Sequence, residues 1–370
     1  MKIISLFNNK GGVGKSTLAF HLGCSLSEIN KKVLLIDLDP QCNLTIFGMQ
    51  DTELQKIWEK EDIFIDDFDE SKKKISQNEF DSLIKNHRSI HFLLKPSEEG
   101  TSEIVSMPPP VTIQPGLDLI PGRLTLHRYE NRIAERWNGL YQGDPLAIRT
   151  ITAIRTIAEE YSKIHGYDYI IIDTSPSLGI LNKVIISNVD GFIIPALPDM
   201  FSLYGIRNIG TALSLWKKEF DTIYSLISDD KRKRFPKSFV RFLGYTIYNA
   251  KKFTGVTEWD LSKAHFNFAK QIPDTIVKYI KSEVREVIPN EEVNRPIGGT
   301  NVMHTHNTLP AMAQKYNVPI WKVPSVTNLD PTDRGTISGN RAIYETTQTA
   351  YQNFASDLLN RIKYLEKRND

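Results

Sequence analysis

A chain of 370 residues, 40% of them hydrophobic, carries enough apolar material for a substantial core, which excludes a disordered or fibrous protein. The formal net charge of +2 supplies no global field toward nucleic acid or anionic lipid, so any such binding must come from local clusters. Two cysteines, Cys24 and Cys42, make neither a disulfide framework nor a four-cysteine metal site, and no apolar run reaches about 18 residues, so the expectation is a protein of the reducing cytoplasm.

Short apolar runs ending in glycine or aspartate alternate with helix-period segments, which predicts an α/β fold, doubly wound, with a mostly parallel sheet flanked by helices. Strands are expected at 2–7, 33–36, 117–120, 169–172, 191–195, 242–248 and 320–323, with helices between most of them. From 50 to 116 charged runs such as Glu70-Ser71-Lys72-Lys73-Lys74 and the turn-rich Met107-Pro108-Pro109-Pro110 break the pattern, and we read a partly helical insertion on the rim of the sheet. Gly143 to Ala147 reads as a turn followed by a helix start. A second, irregular helical insertion covers 254–319, with a helix expected at 274–287; its His304-Thr305-His306 lacks a third metal ligand and reads as loop. The tail 340–367 sets Ile343, Tyr351, Phe354, Leu358, Ile362 and Leu365 near one face of a long amphipathic helix.

Between the first strand and a helical pattern that begins at Thr17 lies Asn9-Lys10-Gly11-Gly12-Val13-Gly14-Lys15-Ser16-Thr17. Glycines let backbone N–H groups turn inward around phosphate oxygens, the helix N-terminus adds its positive end, Lys15 can reach the β and γ phosphates, and Ser16 can ligate Mg²⁺. The usual pattern has glycine where Asn9 stands. Lys10, at the start of the loop, is placed to point across the nucleotide and serve a neighbouring subunit's site.

The run from Lys10 to Thr17 resembles the deviant phosphate loop of the ParA/MinD family of P-loop ATPases. Leu35-Ile36-Asp37-Leu38-Asp39-Pro40-Gln41 resembles that family's second motif, and Ile170 to Gly179, with Asp173, its Walker B strand and switch loop. Leu117 to Pro121 and Pro198 to Gly205 look like the ParA branch. Chemistry supplies separate reasons for the carboxylates. Asp173, at the end of a buried strand, can hold Mg²⁺ through its water shell; Asp39 can orient or deprotonate the water that attacks the γ-phosphorus; Asp37 can support the metal's hydration or the neighbouring switch.

The resemblance implies a single P-loop domain over 1–370, a slow Mg-dependent ATPase, and a homodimer with ATP sandwiched between subunits, Lys10 contacting the partner's phosphates. It places base contacts at Asn249, beside Tyr248, and in the loop holding Pro324 and Thr327. It also implies non-specific DNA binding for partition or positioning of cargo on the nucleoid, and a partner protein that stimulates hydrolysis. Lys231, Arg232, Lys233 and Arg234, then Lys251 and Lys252, are the expected phosphate contacts, joined by Lys237, Arg241, Lys278, Lys281 and Arg285. The alternatives are a switch gating a dedicated effector, which the 50–116 insertion would read, and a MinD-like membrane-associated ATPase. The tail's Asp357, Glu366 and Asp370 disfavour a basic membrane anchor, and the absence of cysteine in 174–182 excludes the cluster-bridged electron carriers related to this fold.

Overall fold

Each central strand is apolar on both faces, because helices cover both sides of the sheet and leave no wet face to alternate toward. The computed structural model describes residues 1–104, 106–300, 302, 304 and 308–366. The chain opens with β1 (Lys2–Leu6), α1 (Lys15–Glu28), β2 (Val33–Asp37) and α2 (Thr45–Gly48). A helical run follows: α3 (Asp51–Asp66), α4 (Phe68–Lys73), α5 (Gln77–Ile84) and α6 (Ile90–Glu99). The sheet resumes with β3 (Val111–Gln114), β4 (Leu117–Ile120), α7 (His127–Arg136), α8 (Pro145–His165), β5 (Tyr169–Asp173), α9 (Ile180–Asn188) and β6 (Gly191–Ala196). Next come α10 (Met200–Leu226), α11 (Asp229–Arg232) and β7 (Arg241–Ile247), then short helices α12 (Lys263–Ala269), α13 (Ile272–Tyr279), α14 (Ser282–Arg285), α15 (Asn290–Asn294) and α16 (Leu309–Tyr316). The chain ends in α17 (Pro331–Gly339) and α18 (Arg341–Glu366).

Among the described residues these strands make one seven-stranded sheet in the order β3-β4-β2-β5-β1-β6-β7. All neighbours are parallel except β3, which turns back on β4 across Gly116, where φ is 80°. The β2–β5 register sets Asp37 opposite Asp173, so the two acidic motifs end side by side at the carboxyl edge. In open α/β sheets that edge is where ligands bind.

The 51–99 segment forms a small helical unit around Phe64, Phe68, Phe80 and Phe92, with the rings meeting edge-on or tilted. Its helices carry their own starts: Ser76 and Glu79 form a capping box at α5, and Ser89 caps α6. Asp144 caps α8 with Pro145 at its first position, as the turn at 143–147 predicts.

Three expectations are corrected here. The strand at 320–323 is instead a 3-10 turn, Ile320–Ser325, bounded by Pro319 and containing Pro324, neither of which can donate to a sheet ladder. The helix at 274–287 is broken after Tyr279, which lets Ile280 turn fully into the core before α14 restarts. On α18 the buried stripe runs through Tyr344, Tyr351, Phe354, Leu358, Ile362 and Leu365, while Ile343 is 55% exposed, about 100° round the helix from its neighbour Tyr344. Asn340 and Lys367 fall outside α18, Lys367 also outside the described residues, as do Thr305 and His306; His304 Nε2 lies 3.1 Å from the Trp259 carbonyl.

Candidate nucleotide site

The loop between β1 and α1 is pinned at its start. Asn8 donates from its amide to the Pro195 carbonyl (2.6 Å) and accepts from the Lys10 N–H (2.9 Å), tying the loop to β6. Gly12 and Gly14 have φ of 74° and 78°, the left-handed region that lets successive amides face one concavity. At Gly14 a side chain is excluded twice, since a Cβ there would fall into the ring of Tyr248. α1 starts at Lys15, so the N–H groups of its first turn have no acceptor within the helix and point out of its positive end.

Three charged side chains converge below this loop. Lys15 is buried, its ammonium donating to the Asn8 carbonyl at 3.2 Å; burial pulls its pKa down, opposed by the charges of Asp173 and Asp39. Asp173 is fully buried, and neither carboxylate oxygen has a hydrogen-bond partner, although the Ser16 hydroxyl comes near enough to favour its charged form. Burial, and then the charge of Asp37, drive the Asp173 pKa upward. Asp39 is 4% exposed and accepts from the Gln41 N–H at 2.9 Å through one oxygen. Asp37, by contrast, is filled: Oδ1 accepts from the Asp39 N–H (3.1 Å) and Oδ2 from the Thr45 N–H (2.8 Å) and hydroxyl (2.6 Å). Burial still raises its pKa against those bonds.

A cleft of about 480 Å³, within the range of small-molecule sites, lies over Lys15 and Asp39, while Asp173 and Asp37 sit beneath its wall. Gly11 to Thr17 and Asp39 line it, with Gln41, Asn43, Phe47 and Pro176 and, from α16, Pro310, Ala311 and Gln314. Lys10 is not in it. Its ammonium pairs with Asp199, the residue that caps α10 by accepting from the Ser202 N–H, and lies 5.6 Å from the centre of the Phe201 ring.

A family model described as an AAA domain matches residues 1–225, the stretch that holds the loop, both acidic motifs and the Lys10–Asp199 pair. The chain belongs to the ParA/MinD family of P-loop ATPases. It is 28% identical over 222 residues to the sporulation initiation inhibitor protein Soj of Bacillus subtilis, covering 60% of this chain and 68% of that protein. It is 29% identical over 218 residues to the chromosome partitioning protein ParA of Myxococcus xanthus, covering 59% of each. Among solved structures it shares its fold with pNOB8 ParA (TM-score 0.56, 18% identity, 98% of both chains), a protein also seen bound to nonspecific DNA (TM-score 0.50, 16% identity, 98% of both chains). It shares it also with an ATP complex of Cyanothece McdA (TM-score 0.55, 17% identity, 97% of this chain and 96% of that one).

For a ParA-family chain, two groups of expected contacts land elsewhere. Asn249 follows β7 with φ of 57°, next to the Tyr248 that underlies Gly14, but does not itself line the cleft. Pro324 and Thr327 do not line the cleft. The turn that carries Pro324 runs along α1 toward its far end: the Ile320 N–H donates to His21 Nε2, the Trp321 indole to Glu28, and Lys322 to Glu28 and Gln114. α16 takes the wall of the cleft instead, held to α2 by the Asn317 amide, which reaches the carbonyls of Ile46 (3.0 Å) and Met49 (3.1 Å). Neither α16 nor His21, buried with Nδ1 2.7 Å from the Thr17 carbonyl, carries a sequence signal; both emerge from packing.

The basic residues also separate. Lys231 to Arg234 precede β7 and Lys251 and Lys252 follow it, so a strand of roughly 20 Å lies between the clusters. Lys231 donates to the Gly143 carbonyl, Arg232 to the carbonyls of Tyr224 and Ser225, and Lys233 pairs with Asp230.

Proposed function

We propose that this chain is an ATP-hydrolysing switch of the ParA type, working as a homodimer that holds DNA without sequence preference in its ATP state and lets go after hydrolysis. The observation that carries the ATPase reading is Asp173, a buried carboxylate with no hydrogen-bond partner, set beside Lys15 and beneath the glycine-turned loop. A buried carboxylate with neither oxygen hydrogen-bonded is costly, and beside a phosphate-binding loop the group that would repay that cost is a bound cation. Asp173 and the Ser16 hydroxyl are hard oxygen donors of the kind Mg²⁺ takes, and the cation would neutralise phosphate charge there. The amides of 11–17 and Lys15 bind the phosphates, Asp39 orients the attacking water and accepts its proton, and Asn249 contacts the base. Asp37 holds the loop that presents Asp39. Lys10 exchanges Asp199 for the partner subunit's phosphates when the dimer closes.

Lys15→Ala abolishes nucleotide binding, whereas Asp39→Ala keeps binding, prolongs the dimer and stops turnover. Equal turnover by wild type and Asp39→Ala removes Asp39 from the mechanism.

For DNA we assign the exposed lysines around 251–281, namely Lys251, Lys252, Lys263, Lys270, Lys278 and Lys281, over Lys231 and Arg232, which backbone carbonyls hold. Retention on random-sequence duplex should require ATP and weaken steeply with salt, and removing Lys251 and Lys252 should lower the salt slope by roughly 1 for each DNA phosphate no longer neutralised. No ATP-dependent retention at low salt would favour the second reading, a switch gating a protein effector, for which the helical 51–99 unit is the candidate docking element. A MinD-like membrane role finds no support in α18, whose apolar stripe packs on the body, and no helix among the described residues is long and apolar enough to cross a membrane.

A further inference from the structure

Asp37 makes no contact with the cleft, yet it is the best-bonded carboxylate at the carboxyl edge, and its bonds lead away from the nucleotide site. The Thr45 hydroxyl that donates to it accepts in turn from the Gly122 N–H at 2.8 Å. The turn after β4 is pressed so tightly onto this point that a Cβ on Gly122 would lie 3.1 Å from the Asp37 carboxyl carbon and 3.0 Å from Cys42 Sγ, so only glycine fits without displacement. The Gly122 carbonyl accepts from the indole N–H of Trp58 on α3 at 3.1 Å. Arg123, 5% exposed, donates to the Trp58 carbonyl (3.0 Å) and to Glu61 (3.1 Å). Glu61 is fully buried and accepts both the N–H (2.7 Å) and hydroxyl (2.6 Å) of Ser89, the cap of α6. The 121–123 turn is thus clasped between α3 and α6, with the Ile90 N–H donating to the Pro121 carbonyl at 2.8 Å.

We infer that Thr45 and Trp58 are positioning residues for Asp39: the hydrogen-bonded chain Asp37–Thr45–Gly122–Trp58, buried as far as Gly122, couples the helical unit 51–99 to the loop that presents Asp39, so that a shift of α3 changes turnover rather than nucleotide binding. This deepens the ATPase reading and rests on it. Two features favour coupling over simple anchorage. The links from Asp37 to Gly122 are shielded from water, so a shift at one end cannot be absorbed by exchanging a bond for solvent. The last link toward the cleft is the Asp39 N–H itself, held by the same carboxylate that Thr45 holds. A general base must sit within a fraction of an ångström of its working position, and a misplacement of about 1 Å can cost on the order of 100-fold. Phosphate binding, by contrast, depends on the 11–17 loop, which this chain does not touch.

The test compares Thr45→Val, which keeps shape and removes the hydroxyl, with Thr45→Ser, which restores it, and with Trp58→Phe, which keeps a ring and removes the indole donor. Nucleotide affinity, turnover and thermal midpoint are measured on each full-length protein. Thr45→Val should lower kcat about 10-fold while affinity stays within about 2-fold, Thr45→Ser should recover most of it, and Trp58→Phe should lower kcat about 3-fold. The double variant Thr45→Val/Trp58→Phe should lose less than the product of the single losses, because both act through one chain. A lowered midpoint with unchanged kcat, or losses that simply multiply, overturns the inference and leaves anchorage. Hydrogen exchange supplies a readout without turnover. In Asp39→Ala protein, bound ATP should slow exchange at the amides of Thr45, Ser89 and Gly122 and leave α5 unchanged; ATP bound with no change at those amides overturns the coupling alone. A wild-type protein that binds no ATP overturns the parent reading as well.

Discussion

Two clusters of buried charge sit in this molecule and are built in opposite ways. At the carboxyl ends of β1, β2 and β5, Asp173 has no hydrogen-bond partner and Lys15 holds only a backbone carbonyl. In the helical unit and the turn it grips, the buried carboxylates are each answered by a hydrogen-bond donor or a cation. Glu61 meets Ser89 and Arg123; Arg123 also meets Asp62; Glu98 takes His91 (2.9 Å) and Lys95 (3.1 Å); and Glu99 takes Lys95 (2.7 Å) and caps α4 through the Phe68 N–H. A satisfied network holds structure, whereas an unsatisfied one at a cleft is reserved for a ligand. Number of charges does not separate the two clusters; the absence of partners does.

That contrast can be broken by substitution. The largest effect is expected in the satisfied cluster. Glu61→Ala leaves Arg123 and the Ser89 groups short of their acceptor, and breaking a buried pair from one side should lower unfolding free energy by about 3–5 kcal/mol in urea titration. A loss under about 1 kcal/mol would mean that the network is not closed.

Asp173→Asn sharpens the other side. Replacing an unpartnered buried carboxylate by a neutral amide should leave the nucleotide-free protein as stable as wild type or more stable by about 1 kcal/mol, while Mg²⁺ no longer tightens nucleotide binding. A large loss of stability without ligand would show that Asp173 has a structural partner after all.

The smallest effect is a pH dependence. Burial lowers the pKa of His91 despite the Glu98 acceptor, so the folded protein binds fewer protons at this site than the unfolded chain between the lowered value and about 6.5. Its contribution is therefore complete above about 6.5 and is lost as pH falls toward the folded pKa. The slope of stability against pH in that window should flatten in His91→Gln, and an unchanged slope would assign it to other groups.

How much of this could be read in advance varied along the chain for a definite reason. The glycine-turned loop and the carboxylates at or just past the ends of β2 and β5 were legible because their backbone setting is local: glycines at 12 and 14 make a turn, and an aspartate closing a strand needs only that strand. The hairpin before β4 was missed because Val111 to Gln114 is four residues long and follows three prolines. Pro324 and Thr327 were misplaced because a loop after an expected strand inherits its position from that strand, and the strand does not form. Which basic residues stay free of the body was not legible, because Lys231 and Arg232 are drawn onto carbonyls of distant or preceding segments while Lys251 and Lys252 stay exposed.

The sequence by itself determined the doubly wound sheet, the glycine cradle with Lys15 and Ser16, and the two acidic strand ends, since short-range periodicity and turn chemistry suffice for each. Only the tertiary structure decided which carboxylate stays unpartnered, that α16 walls the cleft, that Lys10 rests on Asp199, and that the helices of 51–99 reach the Asp39 loop through Gly122. Those outcomes depend on side chains tens to hundreds of residues apart meeting within hydrogen-bond distance, and on burial that withholds water from whatever is left unpaired.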